Sequence, residues 1–266
     1  MKNRQSSIYQ IIQNESIVYV NDLAKRFNVT KKTIRIDLQN LEDAGLIDRN
    51  YGGATLAIQK SSIFPGPSYN AGFIKQKYEI AKKSLEFIKP NQIIILDDGT
   101  TNQTIARLLP DIPLTIITND LIVAYELRKK MNINTYIVGG TVFRTGSSFH
   151  TILSSDKSKD YLRQLDIDLC FIGTNSINNK NGFMVFNDFV CHSKRFYISI
   201  AKKSIVVADA RKFDKSSFYK FADFKEISTV ITDSSFNPYN VKSYAKNGLQ
   251  IIIADKEEGD INGNIL

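Results

Sequence analysis

The stretch from Asn21 to Ala54, NDLAKRFNVTKKTIRIDLQNLEDAGLIDRNYGGA, decides how the N-terminal part of the chain is read. Asn21 is an N-cap residue, and Leu23, Ala24 and Phe27 follow at helical spacing on one face. Asn28-Val29 reads as a tight turn. Thr30 caps a second helix whose apolar positions Ile34, Leu38 and Leu41 fall at i, i+4 and i+7, and which ends near Gly45. Two helices joined by so short a turn form a helix-turn-helix, whose second helix can lie in a DNA major groove.

Working outward, the helix of residues 4–14 carries Ile8, Ile11 and Ile12 on one side, and Ile17–Val20 is a strand-like link into the helix-turn-helix. Beyond it, Leu46-Ile47 begins a strand, Arg49-Asn50-Tyr51-Gly52-Gly53 turns the chain, and Ala54–Ile58 returns as a second strand. This hairpin is the wing of a winged helix, with Arg49 and Tyr51 placed to reach backbone phosphates or the minor groove.

Helical geometry says which face meets DNA. At about 100° per residue, the side opposite Ile34, Leu38 and Leu41 carries Lys32, Ile36 and Gln39, with Lys31 and Arg35 on its flanks. Thr33 completes the candidate set on this helix. Lysine and arginine neutralise phosphates or read guanine, glutamine pairs with adenine, and an exposed isoleucine packs on a thymine methyl. The plainer alternative is an amphipathic helix pair with a solvated charged face. The caps, the turn, the basic first turn and the hairpin agree better with the DNA reader.

At 266 residues the chain has the length of two domains. A net charge of +8 suits an anionic partner, but nine Lys/Arg against six Asp/Glu in the first 60 residues shows that the excess is spread along the chain. Cys170 and Cys191 have neither metal-site nor disulfide-framework spacing, and Cys170 sits in an apolar run. His150 and His192 stand alone and read as surface or internally satisfied residues. No metal or cofactor is implied. Neither a signal peptide nor an apolar run long enough for a membrane span is evident. The expected location is the cytoplasm, with no membrane partner.

Ser61–Ser68, containing Pro65-Gly66-Pro67, reads as a linker. The expected organisation is therefore a DNA-binding domain over 1–60, a linker over 61–69, an α/β domain over 70–257 and a polar tail over 258–266. In the α/β domain, helices over Lys75–Ile88, from Thr100 to Leu109, and over Leu121–Lys130, Ser154–Leu165, Val190–Lys202 and Val241–Asn247 alternate with short apolar strands. Those strands are Ile93–Leu96, Leu114–Thr118, Tyr136–Val138, Leu169–Ile172, Ile205–Ala208, Val230-Ile231 and Ile251–Ile253. Such alternation predicts a mostly parallel sheet, which binds ligands at the carboxyl ends of its strands. Those ends carry Asp97, Asp98, Gly99, Thr100 and Thr101, then Asn119, Gly139 and Gly140, Gly173, and Asp209 with Lys212. Gly99-Thr100-Thr101 opening a helix suits a phosphate, with Lys194 and Lys212 as cationic partners. The ligand class read from these residues is a small polyhydroxylated phosphate. Plain turn chemistry is the alternative for the Gly-Thr-Thr loop, and Asp209 can simply end its strand.

These residues resemble the DeoR family of bacterial sugar-responsive transcription repressors over essentially the whole chain. The N-terminal match is Asp22-Leu23-Ala24, Phe27-Asn28-Val29-Thr30, Thr33-Ile34-Arg35, Asp37-Leu38, Leu41-Glu42, Gly45-Leu46, and Arg49 with Gly52-Gly53-Ala54. The C-terminal match is Leu96-Asp97 with Gly99-Thr100-Thr101, Thr118-Asn119, Gly139-Gly140, Phe171-Ile172-Gly173, Asp209 with Lys212-Phe213, and Ile231-Thr232-Asp233. Arg49–Gly53, Ser148-Phe149-His150, and Phe186-Asn187-Asp188 with Ser193-Lys194 bring it closest to the glucitol-operon type.

The resemblance implies a C-terminal domain related to the sugar-phosphate isomerase fold and used as a sensor. It also implies a double-stranded operator as partner, a phosphorylated sugar or polyol as effector, and a homo-oligomer, dimer or tetramer, at the bacterial nucleoid. Three positions depart from the family pattern: Ile36 replaces an arginine, Asp98 a serine, and Thr151 a glycine. A carboxylate at position 98 leaves a non-phosphorylated effector open. The rival reading is a sugar-phosphate isomerase carrying a DNA-binding appendage, with Asp97, Asp98 or Asp209 as its base.

Overall fold

The computed structural model describes residues 3–15, 17–43, 47–50, 52–56, 74–145 and 148–256. The proposed linker, Gly45, Tyr51 and the tail beyond position 256 lie outside these. The chain divides into two compact units. One holds the elements up to Ile74 together with residues 143–150, the other those of Lys75–Val142 and those from Thr151 onward.

The first unit runs α1 (Asn3–Glu15), β1 (Ile17–Tyr19), α2 (Val20–Arg26), α3 (Lys31–Asp43), β2 (Ile47–Asn50) and β3 (Gly53–Leu56). The strands form an antiparallel sheet in the order β1-β3-β2. Ile8, Ile12, Leu23, Ile34, Leu38, Leu41, Ile47 and Ala54 make one core, so the period-3.6 faces of three helices and one face of the wing converge. Burying each large aliphatic side chain contributes roughly 1.5–3 kcal/mol. Asn28, at φ +49°, makes the turn between α2 and α3, a conformation asparagine tolerates better than branched residues. Thr30 caps α3 as expected, its Oγ1 accepting from the Thr33 N–H at 3.2 Å.

Asn21 does not cap α2. The helix begins at Val20 with Tyr19 preceding it, and Asn21 is exposed within its first turn. The reason is the wing: the Val20 N–H donates to the Gly52 carbonyl at 2.9 Å, so backbone from β1's neighbour supplies one of the partners a cap would offer.

The second unit is built on seven parallel strands in the order β15-β14-β12-β9-β4-β5-β6. They are β4 (Ile93–Leu96), β5 (Leu114–Thr118), β6 (Ile133–Ile137), β9 (Leu169–Gly173), β12 (Ser204–Val207), β14 (Thr229–Thr232) and β15 (Gln250–Ile253). The helices are α4 (Ile74–Leu85), α5 (Thr100–Leu108), α6 (Leu121–Leu127), α7 (Asp156–Leu162), α8 (Asp188–Ile200) and α9 (Val241–Ala245). Alternate residues of each strand enter different cores. Ile94, Leu96, Ile116, Phe171, Ile205 and Val207 pack with α4, α5 and α6, while Ile95, Ile117, Cys170, Ile172 and Val206 pack with Leu162 of α7 and Tyr197 of α8. A sheet covered on both faces accounts for its continuous apolar strands.

The remaining strands are β7 (Gly140–Thr145) with β8 (Ser148–Ser154), and an antiparallel sheet of β10 (Ser176–Asn178), β11 (Gly182–Val185) and β13 (Tyr219–Ala222). These were not legible as strands, being short and interrupted by asparagine, serine and glycine. The helix expected over Ser154–Leu165 is α7 alone. Ser154 ends β8, and Ser155 caps the helix through its Oγ, which accepts from the Ser158 N–H at 3.2 Å. The strand expected at Tyr136–Val138 begins earlier, at Ile133, where its pairing with Leu114 starts.

Candidate functional site

The N-terminal unit holds its reading helix firmly. Asp37, 3% exposed, turns inward on α3. It accepts from Arg4 Nε at 2.6 Å and from Gln5 Nε2 at 3.3 Å, which ties α1 to α3. Lys31, Lys32, Arg35, Ile36 and Gln39 are exposed, and Ile36 is 53% exposed. Thr33 is half-buried, its hydroxyl 2.9 Å from that of Thr30. A charged stripe with one apolar side chain at its middle therefore faces outward, as helix period requires.

The wing is fastened to that stripe through Glu42. The Arg49 N–H donates to Glu42 Oε1 at 2.9 Å, and Gln39 Nε2 donates to Glu42 Oε2 at 3.4 Å. The Arg49 guanidinium donates to the Gln39 side-chain oxygen and lies 3.9 Å from Glu42 Oε2. The sequence named Gln39 and Arg49 as separate contacts. They share one hydrogen-bonded cluster, whose centre, Glu42, was not singled out.

In the second unit, the carboxyl edge of the parallel sheet gathers the expected polar residues. Gly99, at φ +115°, precedes α5, a backbone conformation that favours glycine. Its N–H donates to Asp120 Oδ2 at 3.1 Å, and Gln103 Nε2 donates to the same oxygen at 3.0 Å. Asp120 Oδ1 accepts from the Ile122 and Val123 N–H groups and caps α6. Gly173 approaches so closely that a Cβ there would stand 3.0 Å from the Asp98 carbonyl oxygen.

Asp97, Asp98 and Lys194 form one ionic group. Lys194 Nζ donates to Asp97 Oδ2 and, at 2.9 Å, to Asp98 Oδ1. The Gly173 N–H adds a bond to Asp97 Oδ2 at 3.2 Å, and Thr151 Oγ1 donates to Asp98 Oδ2 at 3.1 Å. Burial pushes the Asp97 carboxyl up, Lys194 opposes this and Asp98 adds to it. Burial alone would lower Lys194, but the two carboxylates reverse this and raise it. Lys194 is thus a paired, protonated amine rather than a free cation.

Beside it, at the end of β12, Asp209 is 4% exposed. It accepts from Arg211 Nε at 2.9 Å and from Arg211 Nη2 at 3.0 Å. Lys212 follows, half-buried, and Lys77 of α4, 6% exposed, feels the charge of Asp209. Burial lowers Lys77 to about 8 and also lowers Lys212, each opposed by Asp209. Burial alone would raise Asp209, but Lys212, Arg211 and Lys77 hold it below its usual range. Lys77, Arg211 and Lys212 thus share this edge with Asp209 and with the buried Asp233, whose Oδ2 accepts from the Ala210 N–H at 2.7 Å. Lys77 and Arg211 were missed in sequence because one lies on a helix far along the chain and the other reads as turn chemistry.

Four buried side-chain oxygens near this edge have no hydrogen-bond partner: Asp97 Oδ1, Asn102 Oδ1, Gln103 Oε1 and Asn119 Oδ1. Leaving a buried polar atom unpaired costs about 1–3 kcal/mol. Thr100 and Thr101 stand half-buried at the start of α5. Gly139 and Gly140 are exposed beyond the edge strand β6, and the Gly139 carbonyl accepts from Ser158 Oγ at 2.7 Å, a structural role at the start of α7. His192 is exposed, and the His150 side chain and Tyr51 lie outside the described residues. Cys170 and Cys191 are free thiols. Among the described residues no group of histidine, cysteine and carboxylates could hold a metal ion, and no helix is long and apolar enough to cross a membrane.

Residues 4–60 match the model of the DeoR-like helix-turn-helix domain, and residues 73–234 match the DeoR C-terminal sensor domain. The chain belongs to the DeoR family. This DeoR-family protein is 32% identical to the uncharacterized HTH-type transcriptional regulator YulB of Bacillus subtilis, over 90% of this chain and 92% of that one. It is 29% identical to the L-fucose operon activator of Haemophilus influenzae, over 92% and 97%. It is 27% identical to the HTH-type transcriptional repressor GlcR of Bacillus subtilis, over 97% and 98%. Ribose 5-phosphate isomerase A from Methanocaldococcus jannaschii is similar at 14% identity over 52% of this chain and 53% of that one, with a TM-score of 0.38. Family membership makes the chain a DNA-binding transcription regulator and decides against the isomerase reading. The carboxylates proposed as a catalytic base fit that outcome: Asp97 and Asp98 are bound to Lys194, and Asp209 to Arg211.

Proposed function

We propose that this DeoR-family regulator is a repressor of a sugar or polyol utilisation operon, released from its operator by a phosphorylated sugar or polyol bound at the carboxyl edge of the sensor sheet. Lys31, Lys32, Arg35, Ile36 and Gln39 of the reading helix, with Thr33 at its base, meet the operator, and Arg49 and Tyr51 of the wing add contacts. Two copies engage paired half-sites, the arrangement usual for helix-turn-helix readers. The name of one relative as an L-fucose operon activator supports the sugar-operon setting, and that of another as a transcriptional repressor supports the sign.

The single observation that carries the ligand class is that one sheet edge holds both buried acceptors without a partner and the cationic side chains Lys77, Arg211 and Lys212 grouped at Asp209. Asp97, Asn119 and the α5 oxygens accept from hydroxyl groups. Lys77, Arg211 and Lys212, with the Gly99-Thr100-Thr101 turn of α5, hold the phosphate. Asp98 and Lys194 border the hydroxyl-bearing part, and Gly139 and Gly140 close the far side. Because a ligand shifts DNA binding only through unequal affinity for two states, the effector must bind the DNA-free form more tightly. The test is a thermal-shift screen of sugar and polyol monophosphates followed by operator gel shifts with the hits. A ligand that stabilises the protein and releases DNA supports the reading. Stabilisation only by unphosphorylated polyols would overturn the phosphate assignment.

A further inference from the structure

Strand β6 ends the seven-stranded sheet, with β5 as its one neighbour. Successive residues of a strand send their side chains to opposite faces and their backbone N–H and C=O groups to opposite edges. The Asn132 carbonyl accepts from the Leu114 N–H at 3.3 Å, and the Val138 N–H donates to the Thr118 carbonyl at 2.8 Å. The even-numbered residues therefore serve β5, and Ile133, Thr135 and Ile137 turn their backbone groups away from it. Among the described residues no strand or isolated bridge pairs with that side.

The side chains of β6 are uncovered as well. The inner strands are almost entirely buried, as a parallel sheet covered on both faces requires. On β6, Asn134, Thr135, Tyr136 and Ile137 are all exposed, although consecutive residues point to opposite faces. Tyr136 is 47% and Ile137 50% exposed, and Met131, just before the strand, 87%. The other end strand, β15, keeps Ile251, Ile252 and Ile253 half-buried. Solvent-facing end strands are normally blunted by a lysine, a proline or a bulge. From Met131 to Val142 the chain has no charged residue and no proline, and the register of β6 on β5 is regular throughout.

Resting on the reading that two copies engage paired half-sites, we propose that the free side of β6 is the interface with a second copy of this chain. The two β6 strands pair antiparallel about a two-fold axis at Thr135, which joins the two sheets into one. Each outward N–H of Ile133, Thr135 and Ile137 then meets a carbonyl of the other copy. On one face Ile137 lies opposite Ile133 of the other copy and diagonal to its Met131. On the other face the two Tyr136 rings are diagonal neighbours. Charge favours this occupant. A two-fold interface sets residues near its axis against their own copies, so a charge there would meet its like. In a chain of net charge +8, the stretch around Thr135 is free of charge.

Sedimentation velocity of the full-length protein tests this, with Ile137→Lys and Thr135→Pro as variants. The lysine sets a charge in the interface, and the proline removes an outward N–H that a solvent-facing edge can spare. The unmodified protein should sediment as a dimer or a tetramer. Each variant should shift toward half that size, with the dissociation constant raised at least about thirtyfold. Both should keep a cooperative melting transition, and Ile137→Lys, at an exposed side chain, decides should the proline variant fail to fold. Tyr239→Lys, at a side chain 91% exposed in the turn before α9, should leave the assembly unchanged. Variants that assemble like the unmodified protein, or an equal loss in Tyr239→Lys, overturn the β6 interface and leave the paired half-site reading standing. An unmodified protein that stays monomeric both free and on operator DNA overturns both.

Discussion

The backbone N–H of Arg49 donates to the Glu42 carboxylate at 2.9 Å, so the wing is anchored by a residue near the end of the reading helix. Gln39 and the Arg49 guanidinium join the same cluster. The two surfaces that must follow adjacent parts of one DNA duplex are thus spaced before DNA arrives. Side chains ordered in advance do not have to be ordered on binding.

This makes Glu42 a sensitive position outside the proposed set of DNA contacts. Glu42→Ala should weaken operator binding about five- to tenfold by freeing Arg49 and Gln39. Folding stability should change by no more than about 0.5–1 kcal/mol, because the pair is partly exposed. Gel-shift titration and thermal melting separate the two. A variant that loses stability but not affinity would make Glu42 merely structural.

Arg35→Ala should lower operator affinity by about 1–3 kcal/mol if the guanidinium reads a base, with relaxed discrimination at one operator position. Ile36→Ala addresses a different contact. An apolar side chain releases no counterions, so its removal should reduce affinity without altering the salt dependence. Unchanged binding in a titration against salt would remove either residue from the interface.

The N-terminal unit was almost fully legible because period-3.6 spacing, a capping threonine and a glycine hairpin are local signals. Asn21 misled because a cap residue in sequence cannot reveal that the wing carbonyl of Gly52 already serves the Val20 N–H. Asp37 went unnoticed as an anchor because its partners, Arg4 and Gln5, lie on another helix. In the sensor unit, the strand ends told which loops share an edge. They did not tell which charges cancel. Lys194 looked like a free cation, and only its contact with Asp97 and Asp98 shows otherwise. Lys77 joins the basic group because α4 packs against the sheet.

Lys194→Ala should destabilise the protein by about 3–5 kcal/mol, since it strands a buried carboxylate without its partner. Chemical denaturation of the full chain measures this. Adding Asp97→Asn to Lys194→Ala should recover part of the loss, because the stranded charge is then gone. If the double variant is as unstable as the sum of the two single variants, the ion pair is not the cause.

Lys212→Ala should leave operator affinity unchanged while blunting release by a sugar phosphate. The motivating geometry is its place beside Asp209 and Arg211 in the basic group. A fully releasable variant, scored by gel shift across an effector titration, would remove Lys212 from the phosphate site.

Lys77 gives the sensor a pH signature with two opposite signs. Burial lowers its folded pKa to about 8, below the unfolded value of about 10.4. A lysine so lowered costs stability while charged. The ligand-free protein should therefore gain stability from this group as pH rises through about 8 and on toward 10. A phosphate bound against Lys77 needs the charged form. Effector affinity should thus be full below about pH 8 and fall by up to about tenfold per unit above it. Melting temperatures with and without sorbitol 6-phosphate, or whichever monophosphate binds, follow both trends on one sample. Lys77→Met should flatten both. A variant whose effector affinity still falls above pH 8 with the original slope would place the titrating group elsewhere in the site.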